Sequence, residues 1–484
     1  MKSQTRYTML IFGLLFLSTI PLGQAAPRQS ETRAPEEPEG TTALPAVIKM
    51  GGVFPIVKRP DAGRDRRDAF LIAVNEINNQ SGADRILPEG VTIEPIVKDD
   101  DNTAEGGTAA ANALVSEGAH IVMGSSGSSV SAAMAAVLGA QKIVQISYAS
   151  SSPALSDRTT YPYFMRVCAS DADQGVAIVD LVESFGWTRG AVIHTSDSYG
   201  TGLVEVFKEE WGGTVVTDQQ FDPGTTDVAA QIQAIKDADP DFVLGNFIDV
   251  DAATAVQKAV DLGAVDMPWI TTDGWSTTAT VGIATKVKNG MQRTIGTTPA
   301  PLTGAGYAAF NTTWFSSAWN WLEGPQVSQT SGTAFNSYAP LSYDAVYVAA
   351  KGLAAANTTD GDPLLATLYN ITHEGASGSI KFNDLGEVVG RYDYVQFVDQ
   401  TFTTFGEWQD DPTYTAGTMI LQDGTQWTRT ATTITKTADL TSWEMYQEEL
   451  EEEDSPGFTG LEVLLLLGLI GAGVVILRRK GEKQ

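Results

Sequence analysis

The chain reads as an α/β protein of two doubly wound, mostly parallel sheets with helices on both faces. Three observations point there. Apolar strand-like runs alternate with helix-period patterns about every twenty-five to thirty residues. The alternation pauses near Asp171 and then resumes. The ordered body, on the order of 390 residues, exceeds what one such core usually holds, so two lobes are expected.

In chain order, the strand-like run 48–53 precedes a helical pattern at 69–77, and 91–97 precedes 109–115. His120-Ile-Val-Met-Gly124 and Ile143-Val-Gln-Ile-Ser147 read as strands. Between them Val130, Met134, Val137 and Leu138 recur at three and four, which predicts a helix and completes a βαβ unit. The rhythm continues through 176–182, 191–194, 204–211, 215–221, 228–235, 242–247, 252–262 and 269–272. The segment 298–376 reads as largely helical, with 341–354 its clearest helix. Strands are expected at 379–382 and 392–398, on either side of the turn-rich Asn383-Asp-Leu-Gly386. The Thr-rich stretch 402–441, with Trp408 and Trp427, looks β-like without a clear register.

Both ends carry targeting patterns. Residues 1–26 begin with Lys2 and Arg6, pass through an apolar run at 9–17 and end in Gly23-Gln-Ala-Ala26, as a secretory signal peptide does. Residues 27–45, rich in Pro and acids, read as a disordered linker. An acidic linker spans 437–459. The segment 460–480 follows, with an apolar run at 463–477 and then Arg478-Arg-Lys480, and it reads as a short transmembrane anchor with the body outside. Ser455-Pro-Gly-Phe458, the apolar run and the basic end together resemble the archaeal tail that an archaeosortase exchanges for a lipid. The expected location is the outer face of the cell membrane, tethered at the C-terminus.

Composition narrows the function classes. With 59 acidic and 31 basic residues the net charge is -28, which suits a halophilic archaeal surface and argues against nucleic acid as partner. Cys168 is alone, so no internal disulfide is expected. The three histidines, His120, His194 and His373, lack zinc-site spacing, and no metal or cofactor is expected. Asn79, Asn311, Asn357 and Asn370 each begin an Asn-x-Ser/Thr sequon. Nucleophile-elbow, Walker A and dinucleotide fingerprints are absent, so no enzyme activity is expected.

The stretch most informative about a site is 124–157, where two serine-rich loops bracket the helix of the βαβ unit. Such loops lie at the carboxyl ends of parallel strands, and 125–129 opens a helix whose unpaired N–H groups attract a carboxylate or phosphate. Ser128 and Ser129 equally suit a plain helix cap, and 150–152 a plain loop before Pro153.

Eight motifs in order carry a resemblance over roughly 46–400: Phe54-Pro, Asp99-Asp-Asp-Asn102, Ser128-Ser-Val-Ser131, Ile146-Ser-Tyr-Ala-Ser150, Tyr161-Pro-Tyr-Phe-Met-Arg166, Ser170-Asp-Ala-Asp-Gln174, Phe185-Gly-Trp187 and Asp197-Ser-Tyr-Gly200. Together they resemble type I periplasmic binding proteins, especially branched-chain amino acid-binding proteins of ABC transporters and the ectodomains of metabotropic glutamate-type receptors. The resemblance implies two lobes joined by three crossovers and closing on a ligand, the first from 46–169 and 298–376, the second from 170–297 and 377–436. It implies that Ser128, with Ser129 beside it, the backbone of Ala149 and Ser150, and Ser151 hold an α-carboxylate. It likewise implies Asp171 and Asp273 as acceptors for the α-ammonium, Tyr199 as a ring over the ligand from the second lobe, and Phe247 as another aromatic. Arg66 falls where the receptors read an acidic side chain; a neighbouring pair or a solvated helix face also explains it. The family's first-lobe disulfide is missing, with Gly127 where one cysteine would stand. The resemblance implies a substrate-binding protein that captures an amino acid, branched-chain first among candidates, and delivers it to an ABC permease and its ATPase. A sensory receptor, or a binder of a small amide or carboxylate, uses the same cleft.

Overall fold

The computed structural model describes residues 43–264, 267–275, 294–299, 304–316, 335, 337–398 and 401–409, with 418–421, 426–430, 433–436, 463–466 and 475–478 in the tail. The signal-peptide segment, nearly all of the Pro-rich linker and the acidic linker lie outside them.

The first lobe is built on a parallel sheet of five strands in the order β2-β1-β3-β4-β5. These are β1 (Val47–Phe54), β2 (Thr92–Asp99), β3 (Ile121–Met123), β4 (Val144–Ser147) and β5 (Phe164–Arg166). The central strands β3 and β4 are buried along their whole length, as strands covered on both faces must be. Helix α1 (Pro60–Asn79) starts with Pro at its first turn, where the missing N–H costs nothing. Its Phe70, Ala73, Val74 and Ile77 enter the main core with Ile48, Met50 and Ile121. On the opposite face, α2 (Ala104–Ser116) and α3 (Ser128–Ala140) pack Leu114, Val130, Met134 and Leu138 against Val53 and Val122.

Past Arg166 the chain crosses to a second sheet through α4 (Asp171–Ser184), β6 (Arg189–Thr195), α5 (Ser198–Glu210), β7 (Thr214–Phe221), α6 (Ala229–Ala238), β8 (Phe242–Asn246), α7 (Asp249–Leu262), β9 (Trp269–Thr271) and β10 (Thr294–Pro299). Asp197 caps α5 by accepting the Gly200 N–H at 2.9 Å, and Gly263 ends α7 in the left-handed conformation with φ 64°.

The chain then returns to the first lobe for α8 (Ala305–Trp314), α9 (Ala339–Ala356), α10 (Gly361–Leu368) and the hairpin β11 (Thr372–Gly375) and β12 (Gly378–Lys381). Helix α9 lies beside α1 and contributes Leu341, Ala345, Val348 and Leu353 to the same core. A third passage leads to β13 (Arg391–Val398), which pairs antiparallel with β10.

The Thr-rich stretch is an antiparallel extension of that second sheet. Its strands are β14 (Thr401–Gln409), β15 (Thr418–Leu421), β16 (Gln426–Thr430) and β17 (Thr433–Lys436), and the order is β17-β16-β15-β14-β13-β10-β9-β8-β6-β7. Trp408 anchors the extension: it is buried against Tyr392 at a ring distance of 6.2 Å and donates to Asp180 Oδ2 on α4 at 3.0 Å.

Among the described residues the expected C-terminal transmembrane anchor is not seen as a helix. Its described residues are two short strands, β18 (Val463–Leu466) and β19 (Val475–Arg478), paired antiparallel. Three glycines, Gly468, Gly471 and Gly473, interrupt the apolar run, and each costs about 1 kcal/mol in a helix interior. No helix among the described residues is long and apolar enough to cross a membrane.

Candidate functional site

A cleft with about 80 Å³ of free volume opens at the carboxyl ends of the parallel strands of both sheets, where an α/β fold gathers its loops. At roughly 10–15 Å³ per water, that is room for about five to eight, on the scale of a small zwitterion.

The first-lobe wall is the start of α3. Ser126, Gly127, Ser128, Ser129 and Val130 line the cleft, and a helix's first N–H groups have no carbonyl partner within it, so this wall offers donors and the positive dipole end. The serines around it divide into two sets. Ser125, Ser131, Ser147 and Ser150 bond one another: Ser131 Oγ meets Ser150 Oγ at 2.8 Å and accepts the Ser125 N–H at 2.9 Å, and Ser147 Oγ donates to the Ser125 carbonyl at 2.7 Å. They knit the two loops into one rigid piece. Ser128 accepts the Ser152 N–H at 3.2 Å and borders the cleft with Ser129 and Ala149.

Arg66 reaches the same wall from α1. It is only 3% exposed, donates to Ser126 Oγ at 2.6 Å, and its guanidinium lies 4.9 Å from the Tyr338 ring centre and 5.8 Å from that of Tyr148. Arg59 and Asn102 complete this polar side.

The facing wall is acidic. Asp273, which opens the turn two residues after β9, accepts from the Tyr199 hydroxyl at 2.8 Å and from the hydroxyl of Tyr338, the N-cap of α9. A side chain at Gly274 would meet the Tyr199 hydroxyl at 2.4 Å and the Phe247 carbonyl at 2.5 Å, so glycine there lets its N–H reach that hydroxyl at 3.0 Å. Asp171, fully buried at the start of α4, stands behind Asp273, its N–H donating to the Ser151 carbonyl at 2.8 Å. Gln174 bridges the two acids. In the amide orientation that satisfies every neighbour, its nitrogen donates to Asp273 Oδ1 at 2.9 Å and to Asp171 Oδ1 at 3.2 Å. Among the described residues Asp171 Oδ2 has no hydrogen-bond partner. The Ser151 hydroxyl stands near enough to favour the anion without completing a hydrogen bond.

Among the described residues no Lys or Arg hydrogen-bonds either acid, and burial disfavours the ionised form of both. Burial, then the charge of Asp273, raises Asp171 well above the usual carboxylate range. Burial also raises Asp273, against the opposing hydrogen bonds from Tyr338 and Tyr199. Burial and the nearby Asp273 charge push both tyrosines well up, so each remains a neutral donor. The arrangement asks for a positive group on this side and a negative group at the α3 start.

Six of the ten residues expected at the site line the cleft: Arg66, Ser128, Ser129, Ala149, Tyr199 and Asp273. Ser150, Ser151 and Asp171 are buried behind it. Phe247 is elsewhere: its ring is in the second lobe's core, 6.0 Å from Phe221 and 5.3 Å from Trp275, because the strand end turns it under the sheet rather than over it. Sequence reasoning passed over Tyr338, Gln174, Ser126, Arg59, Asn102 and Asp197 as site residues. Gln174, Asn102 and Asp197 sit inside motifs quoted above. Tyr338 carries no local signal, since it meets Asp273 only through the return of the chain to the first lobe.

The comparisons with known proteins agree with this architecture. The family model "Receptor family ligand binding region" matches residues 65–400. Metabotropic glutamate receptor 4 of Rattus norvegicus is 25% identical over 454 residues, covering 75% of this chain and 49% of the receptor. Metabotropic glutamate receptor 8 of Homo sapiens is 30% identical over 209 residues, 36% of this chain. The chain thus spans about half the length of the curated relatives it matches, or less. In fold it is similar to the branched-chain amino acid transporter substrate binding protein LivJ from Streptococcus pneumoniae, solved with isoleucine, at a TM-score of 0.62 and 20% identity over 74% of this chain and 98% of that one. It is equally similar to the leucine binding protein LivK from Thermotoga maritima, at 0.63 and 19%, with the same coverage. A two-sheet α/β fold of the type I periplasmic binding protein kind, with a polar cleft at its strand ends and a family match over most of its length, makes this chain a member of the receptor ligand-binding-region family.

Proposed function

We propose that the protein captures an α-amino acid with a second acid group in its side chain. The observation that carries the reading is the charge layout of one buried cleft: Asp273 backed by Asp171 on one wall, the α3 start with Arg66 and Arg59 on the other. The ligand ammonium would neutralise the two acids, and its α-carboxylate would take the N–H groups at Ser128 and Ser129, with the Ala149–Ser151 loop behind. The side-chain acid would face Arg66 and Arg59. The branched-chain side chain expected from sequence would find chiefly Val130, Ile248 and tyrosine rings there, beside two guanidinium groups.

In this reading the two lobes close because the ligand bridges them, and a surface-held protein hands its cargo to an ABC permease. Export, C-terminal tethering and the permease belong to the proposal. A sensory role is the second reading, favoured by the names of the receptor relatives.

The test is calorimetric titration of the full-length protein in molar salt with L-glutamate, L-aspartate, L-leucine, L-isoleucine and their amides. One acidic amino acid should bind near micromolar, about 8 kcal/mol. Tighter binding of leucine or isoleucine would restore the branched-chain assignment. Failure of all α-amino acids, with an amide or simple carboxylate binding instead, would remove the ammonium role of Asp171 and Asp273.

A further inference from the structure

The structure holds a second buried charge cluster outside the cleft, at the place where the lobes connect. Arg166 ends β5 and is 1% exposed. Its Nε donates to Glu387 Oε2 at 2.9 Å, and its Nη2 donates to the same oxygen and, at 2.7 Å, to Ser156 Oγ. Its Nη1 donates to the carbonyls of Ser150 at 3.1 Å and Ser152 at 2.8 Å. Arg166 therefore grips the chain on both sides of Ser151, in the loop that stands behind the proposed α-carboxylate.

Glu387 belongs to the third passage between lobes. The turn before it is closed by Asn383, whose side-chain oxygen accepts the N–H groups of Leu385 and Glu387 at 2.9 and 3.2 Å. Gly386, at φ 74°, directs its carbonyl to the Arg166 N–H at 2.9 Å. Ala169 of the first passage and Val388 of the third run side by side as a parallel bridge. The same loop touches the second lobe, where the Ser198 hydroxyl of α5 donates to Ser152 Oγ at 3.0 Å. One guanidinium thus fastens two of the interlobe passages to the loop of the site.

We infer that Arg166 and Glu387 are positioning residues for ligand capture, which set the pose of the Ser150–Ser152 backbone from the hinge and so couple lobe closure to carboxylate recognition. The inference rests on the reading of the cleft given above. A planar fork with five donors can hold a carboxylate and two carbonyls at once; an ammonium on a flexible stem cannot.

The test pairs protein and ligand changes. Full-length wild type, Arg166→Lys and the milder Glu387→Gln, each verified as folded by circular dichroism and a melting curve, are titrated with L-glutamate and its α-amide, and with L-leucine and leucinamide. A group that aims the carboxylate loop should matter only where there is a carboxylate to aim at. Both variants should weaken the acid by roughly tenfold or more and the matching α-amide by less than about threefold. Equal weakening of acid and amide would overturn the inference and leave Arg166 and Glu387 as a purely structural pair. Unchanged affinity for both would overturn it too. If wild type binds none of the four, the reading of the cleft itself fails, and the positioning role with it.

Discussion

Two buried charge clusters, about equally hidden from water, have opposite chemistry. At the hinge, Arg166 and Glu387 compensate each other, and every arm of the guanidinium has a partner. In the cleft, two acids, Asp171 and Asp273, are bridged by the neutral Gln174, and among the described residues one Asp171 oxygen has no partner. A compensated cluster can serve the fold by itself. An uncompensated one costs stability and persists where a ligand completes it. Burial alone therefore does not say how a cluster would meet a ligand: the cleft acids would touch its ammonium, whereas the hinge pair would act only through the loop it holds.

The largest effect should come from breaking the compensated pair. Arg166→Ala removes the cation hydrogen-bonded to buried Glu387 and should destabilise the protein by about 3–5 kcal/mol, read as a lower midpoint in urea unfolding. The cleft should behave the other way. Asp273→Asn should cost about 2–5 kcal/mol of ligand affinity by calorimetry, since the ammonium loses its charged acceptor. The melting temperature of the same unliganded variant should hold or rise.

The pH dependence sharpens the contrast. Asp171 is raised in the fold, so the folded protein retains a proton that the unfolded chain releases near the ordinary carboxylate range, about pH 4. Its contribution to stability is full below that range and is lost as pH rises through the folded value, at no more than about 1.4 kcal/mol per pH unit. Asp171→Asn should remove that component from the stability curve of the unliganded protein. Ligand binding, which favours the ionised pair, should release protons in the same window, seen as a dependence of calorimetric heat on the buffer. The smallest effect is expected at Phe247. Phe247→Leu should cost roughly 1 kcal/mol of stability and leave affinity unchanged; a loss of affinity would place its ring in the cleft after all.

Much of the fold was legible because doubly wound proteins repeat one local pattern. The 120–147 unit shows it, with a helix at Val130, Met134 and Leu138 between two strand runs. The antiparallel extension at 401–436 was less legible: Thr-rich strands, anchored through Trp408, carry little amphipathic signal. The site was half legible. The serines at 125–131 and 147–152 stood out as a group, yet which of them knit the loops together and which face the cleft depends on rotations that composition does not encode. Ser150 and Ser128 look alike in sequence; the first bonds Ser131 and the second borders the cleft. Phe247 was misplaced for a related reason, since a residue at a strand end can turn to either side of the sheet.

Sequence alone determined the α/β class, the acidic surface and the serine loops at a helix start, because periodicity, charge count and helix-end chemistry are local properties. Tertiary structure decided what those loops face. Tyr338 reaches Asp273 across 65 positions of sequence, and Arg166 reaches Glu387 across 221. Such meetings depend on how the chain passes three times between its sheets, and no nearby residue pattern records them.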